Sequence, residues 1–183
     1  MGAVEHDETF MNEALALARR GLDADHMPIG AVVVLDDDIV GSGYWQYSPD
    51  ALLEHAEIVA LRAAEKNPRI QGYRRRTTLY TTLEPCLLCM GGAMSFGVRR
   101  VVFALEAPFD GASTVTKHWQ PALGYPPAGY EVFTNPDVVG GVCRDTSLAL
   151  LRTYVERHPE SGWLQAMLPG FAYPSAASRR TSL

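Results

Sequence analysis

The segments His55-Ala56-Glu57 and Pro85-Cys86-Leu87-Leu88-Cys89 restrict the fold and the chemistry of this chain more than any others. One imidazole and two thiolates offer three protein ligands to Zn²⁺, and they leave the fourth tetrahedral position open for water. A structural zinc site would use four protein ligands, so this arrangement predicts a catalytic one. Glu57 follows the histidine by two residues and is expected to carry a proton for the bound water. We therefore predict Zn²⁺ as the cofactor, Glu57 as the catalytic residue, and as metal ligands His55, Cys86 and Cys89.

Each motif has a simpler interpretation when it is taken alone. A C-x-x-C pair can be a thioredoxin-like redox couple, and a single histidine can be a core residue with its hydrogen bonds satisfied. A redox motif would follow the first strand of a thioredoxin pattern, which is not what precedes Cys86. The two motifs together, with Glu57 beside the histidine and Pro85 directly before the first cysteine, favour the zinc site.

Composition predicts one globular domain in a reducing compartment. The chain has 183 residues, of which 47% are hydrophobic, enough for a sizeable core. We expect a single domain over residues 1–174 and a disordered tail at 175–183. The net charge of -5 provides no overall attraction to nucleic acid or to an anionic membrane. Only three cysteines, and no apolar run near the ~18 residues of a membrane span, favour a cytoplasmic protein without membrane contact.

Hydrophobic periodicity predicts strands that alternate with helices, which is typical of a three-layer α/β domain. Asp7 is the predicted cap of a first helix that ends at Gly21. His55 is expected to open a second helix, and Cys86 with Cys89 a third, so that the partial positive charge at each N-terminus favours thiolate. Strands are predicted at 29–35, 39–43, 77–83, 98–105 and 131–134, and the other helices at 144–157 and 160–167.

The combination H-x-E and P-C-x-x-C is the signature of zinc deaminases. Residues 28–105 resemble the cytidine deaminase superfamily, in the branch that holds cytosine, guanine and tRNA adenosine deaminases. The resemblance implies a three-layer α/β/α cytidine deaminase-like fold with a central five-stranded mixed sheet, one zinc ion per subunit, and a homodimer packed near the zinc-bearing helices. The segments that carry it are PIGAVVV (28–34), HAEI (55–58), TLYTTLEPC (78–86), CMGGA (89–93) and VRRVVF (98–103).

Two departures from the branch bear on the substrate. The branch commonly has an asparagine after the second strand that holds the base, and Trp45 occupies this position here. An inward Trp45 would narrow the pocket and offer a stacking face, whereas an outward one would be a packed loop aromatic. The segment 154–163 is similar to the end of fungal-type cytosine deaminases, where a late tryptophan covers the base, but the nearby substrate-binding aspartate is absent. The residues expected to contact the substrate are Trp45, Ala56, Phe109 and Trp163.

A narrow aromatic pocket favours hydrolytic deamination of a free monocyclic amino-nucleobase, cytosine-like or a triazine, with release of ammonia. A small-molecule nucleobase is then the expected partner, and nucleic acid is not. Guanine deaminase and tRNA-specific adenosine deaminase are the alternatives. The RNA alternative needs a basic face, for which Arg74-Arg75-Arg76 is the strongest run, extended by Arg99, Arg100 and Lys117. A zinc-binding subunit without catalysis is a further possibility, but it would be expected to lack Glu57.

Overall fold

A computed structural model describes residues 3–46, 48–119 and 133–171. These residues form a five-stranded sheet in the order β2-β1-β3-β4-β5. Strand β1 is antiparallel to β2 and β3, whereas β3, β4 and β5 run parallel, so the predicted mixed sheet is confirmed. The strands are β1 (Gly30–Leu35), β2 (Asp38–Tyr44), β3 (Thr78–Leu83), β4 (Arg100–Leu105) and β5 (Asp137–Gly140).

Helices cover both faces of the sheet, which confirms the three-layer architecture. Helices α2 and α3 share a core with one face, and α1 and α5 pack on the other. Within the described residues, no helix combines the length and apolar character needed to cross a bilayer. The helices are α1 (Ala3–Asp23), α2 (Ala56–Glu65), α3 (Leu87–Phe96), α4 (Val115–His118), α5 (Arg144–Arg157) and α6 (Gly162–Phe171).

The apolar run of β1 is buried on both faces, as its continuous hydrophobic sequence predicts. Val33 packs into the core under α2 and α3, and its neighbour Val32 packs into the core under α1. Side chains alternate between the faces of a strand, so one β-branched run supplies both cores. Burial of each valine contributes about 1.5–3 kcal/mol.

The small size of Gly43 in β2 lets helix α2 lie directly on the sheet. A Cβ atom added there would lie 2.7 Å from Val59 Cβ and 2.8 Å from the Ala56 carbonyl oxygen. Any larger residue would displace the first turn of α2. Because His55 immediately precedes that turn, the glycine helps to fix the imidazole relative to the sheet.

Two local predictions were wrong. Asp7 lies inside α1 rather than at its start, because it is buried and paired with Arg100 at 2.6 and 2.7 Å. The fifth strand is Asp137–Gly140, not 131–134. Thr134 instead contacts α3, since its N–H bonds the Met94 carbonyl at 3.0 Å. The remaining predictions for Glu131 and for the tail at 175–183 concern positions outside the described residues.

Candidate active site

The three predicted metal ligands converge at the end of β3. His55 is the N-cap of α2 and Cys86 is the N-cap of α3, which confirms that both ligand segments open helices. Neither side chain caps its own helix, so both are free to turn toward each other. Cys89 follows within the first turn of α3 and is fully buried.

The spacing of the ligand atoms matches a tetrahedral zinc site. His55 Nδ1 lies 3.5 Å from Cys86 Sγ and 3.5 Å from Cys89 Sγ, and the two sulfur atoms are 3.7 Å apart. A tetrahedron with ordinary Zn–S and Zn–N bond lengths has edges of about 3.8 Å between sulfurs and about 3.6 Å between sulfur and nitrogen. The residues therefore fit Zn²⁺ bound through Nδ1 of His55 and both thiolates.

Interactions among the candidate ligands shift the pKa values of the Cys86 and Cys89 thiols in opposite directions. Hydrogen bonding with Cys89, assisted by His55, lowers the pKa of Cys86 to about 4 despite partial burial. Hydrogen bonding with Cys86, together with burial, raises the pKa of Cys89. Zinc binds cysteine as thiolate, so loading the site requires the proton of Cys89 to leave.

Glu57 lies beside the ligand cluster with its carboxylate buried. One oxygen, Oε1, accepts a hydrogen bond from the Thr81 hydroxyl at 3.2 Å, and the other, Oε2, lies 3.4 Å from Cys89 Sγ. Burial raises the pKa of this carboxyl group. A carboxylate held next to a three-ligand metal site can receive a proton from one atom and return it to another.

Trp45 packs against the candidate metal ligand. Its indole is stacked on the His55 imidazole, with ring centroids 4.9 Å apart and an angle of 16° between planes. Its backbone N–H bonds the Ile29 carbonyl at 2.9 Å, which extends the pairing of β1 and β2 to this residue. The side chain is partly buried against the core below α2 and α3, and its contact with a substrate stays a prediction.

The other predicted contact residues differ in what they can present to a substrate. The Ala56 side chain is buried in the core, so its backbone N–H in the first turn of α2 is the group that can face a ligand. Phe109 is 57% exposed in the turn after β4, where its ring meets Phe171 of α6 edge to face at 6.2 Å. Trp163 belongs to α6, and its side chain lies outside the described part of the structure.

Sequence reasoning missed three residues near the site. Thr81 contacts Glu57, Glu84 binds the loop after β4, and Asp110 interacts electrostatically with Cys86 and His55. A signal was available for Thr81, because it is a polar residue on the inward face of a buried strand. The partners of Glu84 and Asp110 depend on the path of an irregular loop, which periodicity does not describe.

Residues 4–105 match the cytidine and deoxycytidylate deaminase zinc-binding region. The chain belongs to this family. It is a zinc-dependent deaminase that hydrolyses a C–N bond, and His55, Cys86 and Cys89 lie together as a candidate metal site.

The deaminase is similar over most of its length to proteins that modify transfer RNA. It is 34% identical over 170 residues to a tRNA-specific adenosine deaminase of Haemophilus influenzae, covering 90% of this chain and 91% of that one. The tRNA-specific adenosine deaminase of Agrobacterium fabrum is also 34% identical, over 79% of this chain and 91% of its own.

The deaminase is similar to solved structures from two kinds of study, one of tRNA deaminases and one of complexes with purines. One comes from a study of A-to-I editing by tRNA:A34 deaminases at the wobble position, with 32% identity and a TM-score of 0.60 over 78% of this chain and 98% of that one. Another was determined in complex with 2,6-diaminopurine, with 26% identity and a TM-score of 0.57 over 81% and 80% of the two chains.

These relatives correct the prediction of a small-molecule partner. We expected a free nucleobase and not nucleic acid, and this prediction was wrong, because the two relatives described above, which match most of the chain, are tRNA-specific adenosine deaminases. Net charge averages over the whole deaminase and does not exclude a local RNA contact. An aromatic wall that suits a small free ring suits equally a base turned out of an RNA strand.

Proposed function

We propose that this deaminase converts adenosine to inosine in transfer RNA. The observation that carries the proposal is the 34% identity to a tRNA-specific adenosine deaminase across 90% of the chain. That similarity extends well beyond the zinc motifs, so it includes the elements that surround the site as well as the metal ligands. The solved structure from the study of tRNA:A34 deaminases, at 32% identity, supports the same substrate class.

The reaction adds water to C6 of adenine, breaks the bond from C6 to the exocyclic nitrogen, and releases ammonia. Zn²⁺ held by His55, Cys86 and Cys89 would acidify water, lowering its pKa to about 7. Glu57 takes the proton of the attacking water, delivers it to ring nitrogen N1, and assists the departure of ammonia. Thr81 keeps one carboxylate oxygen of Glu57 in place through its hydroxyl. A positioned proton carrier typically contributes ~10²–10⁴ in rate.

Aromatic side chains near the metal site suit an extruded base. Sequence-specific RNA recognition uses unpaired bases that stack on aromatic rings. Trp45 stacks on His55 beside the metal site, and Phe109 is exposed in the nearby turn. In this proposal Trp45 bounds the adenine pocket and Phe109 meets the flanking nucleotides, with the Ala56 N–H available to the base.

The charges favour RNA contacts on the zinc side rather than at the predicted basic run. Arg74–Arg76 precedes β3, whereas the two cysteine ligands follow it, and the two ends of this strand are roughly 17 Å apart. Arg76 is also paired with Asp36 at 2.6 Å. Lys117 and His118 are exposed on α4, shortly after Ala112, whose N–H bonds the Pro85 carbonyl at 2.9 Å. These two residues are our candidates for phosphate contacts.

We further infer a homodimer that acts in the cytoplasm, where transfer RNA is found. Two leucines between the cysteine ligands, Leu87 and Leu88, are 66% and 40% exposed on α3. Exposed apolar groups clustered on one element mark interaction surfaces. A second copy packed against α3 would cover them. Sedimentation should give a dimer for the natural protein, and substitution of Leu87 by aspartate should shift it toward the monomer.

Free purines are the comparison compounds for testing this proposal. Similar structures were determined with 2,6-diaminopurine and 8-azaguanine, at 26–28% identity. A pocket that accepts the adenine of a nucleotide could also accept a free two-ring base. Turnover of a free purine would need no RNA, so an experiment can measure whether the deaminase requires RNA.

Competition between the two substrates tests the proposal. The zinc-loaded protein is given a transfer RNA with adenosine at the first anticodon position, together with guanine and 2,6-diaminopurine. We expect inosine in the RNA and no ammonia from the free bases, with a rate that falls as salt rises. Ammonia from a free purine without inosine would overturn the proposal.

A further inference from the structure

Glu84 is a buried carboxylate with a defined pair of partners. It lies between the end of β3 and Pro85, with 8% of its surface exposed. Its Oε2 accepts a hydrogen bond from the Ala107 N–H at 3.1 Å, and its Oε1 accepts one from the Ser113 N–H at 3.1 Å. The two oxygens therefore hold both ends of the loop 107–113, which follows β4.

Gly111 at the centre of this loop allows the carboxylate to approach the backbone. A Cβ atom on Gly111 would lie 2.4 Å from Glu84 Cδ, closer than any real contact. The same glycine pairs with Cys86 in an isolated antiparallel bridge, and the next N–H, of Ala112, bonds the Pro85 carbonyl at 2.9 Å. The loop is thus attached to the backbone that bears a metal ligand.

The loop presents two exposed side chains, Phe109 and Asp110, next to the metal site. Asp110 directly precedes Gly111, which pairs with the candidate metal ligand Cys86. Phe109 reaches the end of α6 through its contact with Phe171. A shift of this loop would move both groups relative to His55 and Cys86 without removing a ligand.

We propose that Glu84 is a positioning residue, which fixes the loop 107–113 against the cysteine-bearing segment so that Phe109 and Asp110 engage the nucleotides beside the reacting base. This inference rests on the proposed RNA substrate. Glu84 acts through the loop and touches neither substrate nor metal in this account. Its loss should therefore weaken substrate binding more than the chemical step.

Replacement of Glu84 by glutamine separates this role from simple packing. Glutamine has nearly the same shape, but it offers one acceptor oxygen where the loop presents two N–H donors. One donor would face an amide NH₂ group and lose its partner. Loss of a hydrogen bond to a charged acceptor costs enough to change an equilibrium by about tenfold. Glu65→Gln, at the exposed end of α2, is the matched control.

The test combines zinc analysis, amide hydrogen exchange and steady-state kinetics on the full-length protein. For Glu84→Gln we expect the natural zinc content and exchange faster by about tenfold at one of the two amides, Ala107 or Ser113. We also expect a KM for transfer RNA raised by about tenfold while kcat changes less than about threefold. Glu65→Gln should match the natural protein in every measurement. Unchanged exchange at both amides, loss of zinc, or a fall in kcat as large as the rise in KM would overturn the proposal.

A second variant provides an independent check. Gly111→Ala leaves the carboxylate intact but pushes it away from the loop, so it should reproduce the exchange and KM changes of Glu84→Gln. The double variant should show exchange and KM changes little larger than those of either single variant, because both substitutions break the same contact. Fully additive effects would contradict a shared role. If no RNA is deaminated, the proposed function fails, while exchange and zinc content still decide whether Glu84 holds the loop.

Discussion

The hydroxyl of Thr81 donates a hydrogen bond to Glu57, with 3.2 Å between Thr81 Oγ1 and Glu57 Oε1. Thr81 is a fully buried residue of β3, and Glu57 belongs to the first turn of α2. The proposed proton carrier is therefore oriented from the central sheet as well as by its own helix. Because β3 leads directly into Cys86, one strand positions both the carboxylate and a metal ligand.

Thr81→Val should lower kcat by about tenfold. Valine fills the same space but cannot donate, so Glu57 loses a hydrogen bond that fixes its carboxylate. Zinc content and KM should remain near those of the natural protein. Rate measurements on Thr81→Val and on the control Thr81→Ser, which keeps the hydroxyl, test this. Equal activity in all three proteins would show that the contact does not matter for turnover.

Cys86→Ser should reduce bound zinc sharply and abolish turnover. Serine has a poorly ionised oxygen where zinc prefers thiolate, so one of three protein ligands is effectively lost. Metal analysis after dialysis against a chelator measures the loss. Cys143→Ser is the matched control, because Cys143 is a free cysteine on a different element. Full zinc occupancy in Cys86→Ser would contradict the ligand assignment.

Trp45→Ala should weaken both zinc retention and RNA turnover. The indole stacks on the His55 ring, so its removal frees the imidazole to leave its binding orientation. Groups that orient a metal ligand typically affect affinity by about 10–100-fold. Trp45→Phe, which keeps an aromatic face, should retain most of both properties. If the alanine variant matched the natural protein in zinc affinity and kcat/KM, the indole would have neither role.

Asp7 should make the fold sensitive to acid. Burial opposes its ionisation, but hydrogen bonds and charge from Arg100 outweigh this and hold the pKa of Asp7 below its ordinary value of 3.8. Because the pKa of Asp7 is lower in the folded protein, its ionised carboxylate stabilises the fold above pH 3.8. This stabilisation is lost as the pH falls through the pKa that Asp7 has in the folded protein. Asp7→Asn should cost about 2 kcal/mol of unfolding free energy at neutral pH.

Denaturant titrations between neutral pH and pH 3 measure the Asp7 effect. The difference between the natural protein and Asp7→Asn should shrink in the acid range, because the natural carboxylate becomes protonated there. Asp145→Asn is a suitable control, since the Asp145 side chain is fully exposed and only distantly paired. A constant difference across the whole pH range would mean that the ion pair is not its source.

Much of the architecture was predictable because it follows from local periodicity. The run 29–35 predicted a strand buried on both faces, and the amphipathic pattern at 144–157 predicted the helix that the structure contains. Spacing also predicted the metal cluster, since His55 and Cys86 both open helices at the end of β3. Such features depend on residues close together in the chain or on motifs whose chemistry allows few arrangements.

The incorrect predictions concern contacts between distant residues. Asp7 suited a helix cap, but a bidentate pair with Arg100 on β4 holds it inside α1. Strand β5 has only four residues between Pro136 and Gly141, too few for periodicity to locate it, and the strand was predicted at 131–134 instead. The prediction of a free nucleobase as the substrate was wrong for a related reason. Trp45 predicts an aromatic wall, but no residue pattern states whether the ring beside it belongs to a free base or to RNA.

Inosine formation in a transfer RNA by the natural protein and by Glu57→Gln, at matched zinc content, tests the central claim most directly. We predict that mass spectrometry of the digested RNA finds inosine at the first anticodon position with the natural protein. Glu57→Gln should bind zinc and RNA but lose at least ~10² in rate, because glutamine cannot carry the proton. Inosine formed equally by both proteins, or by neither when zinc is fully bound, would contradict the account.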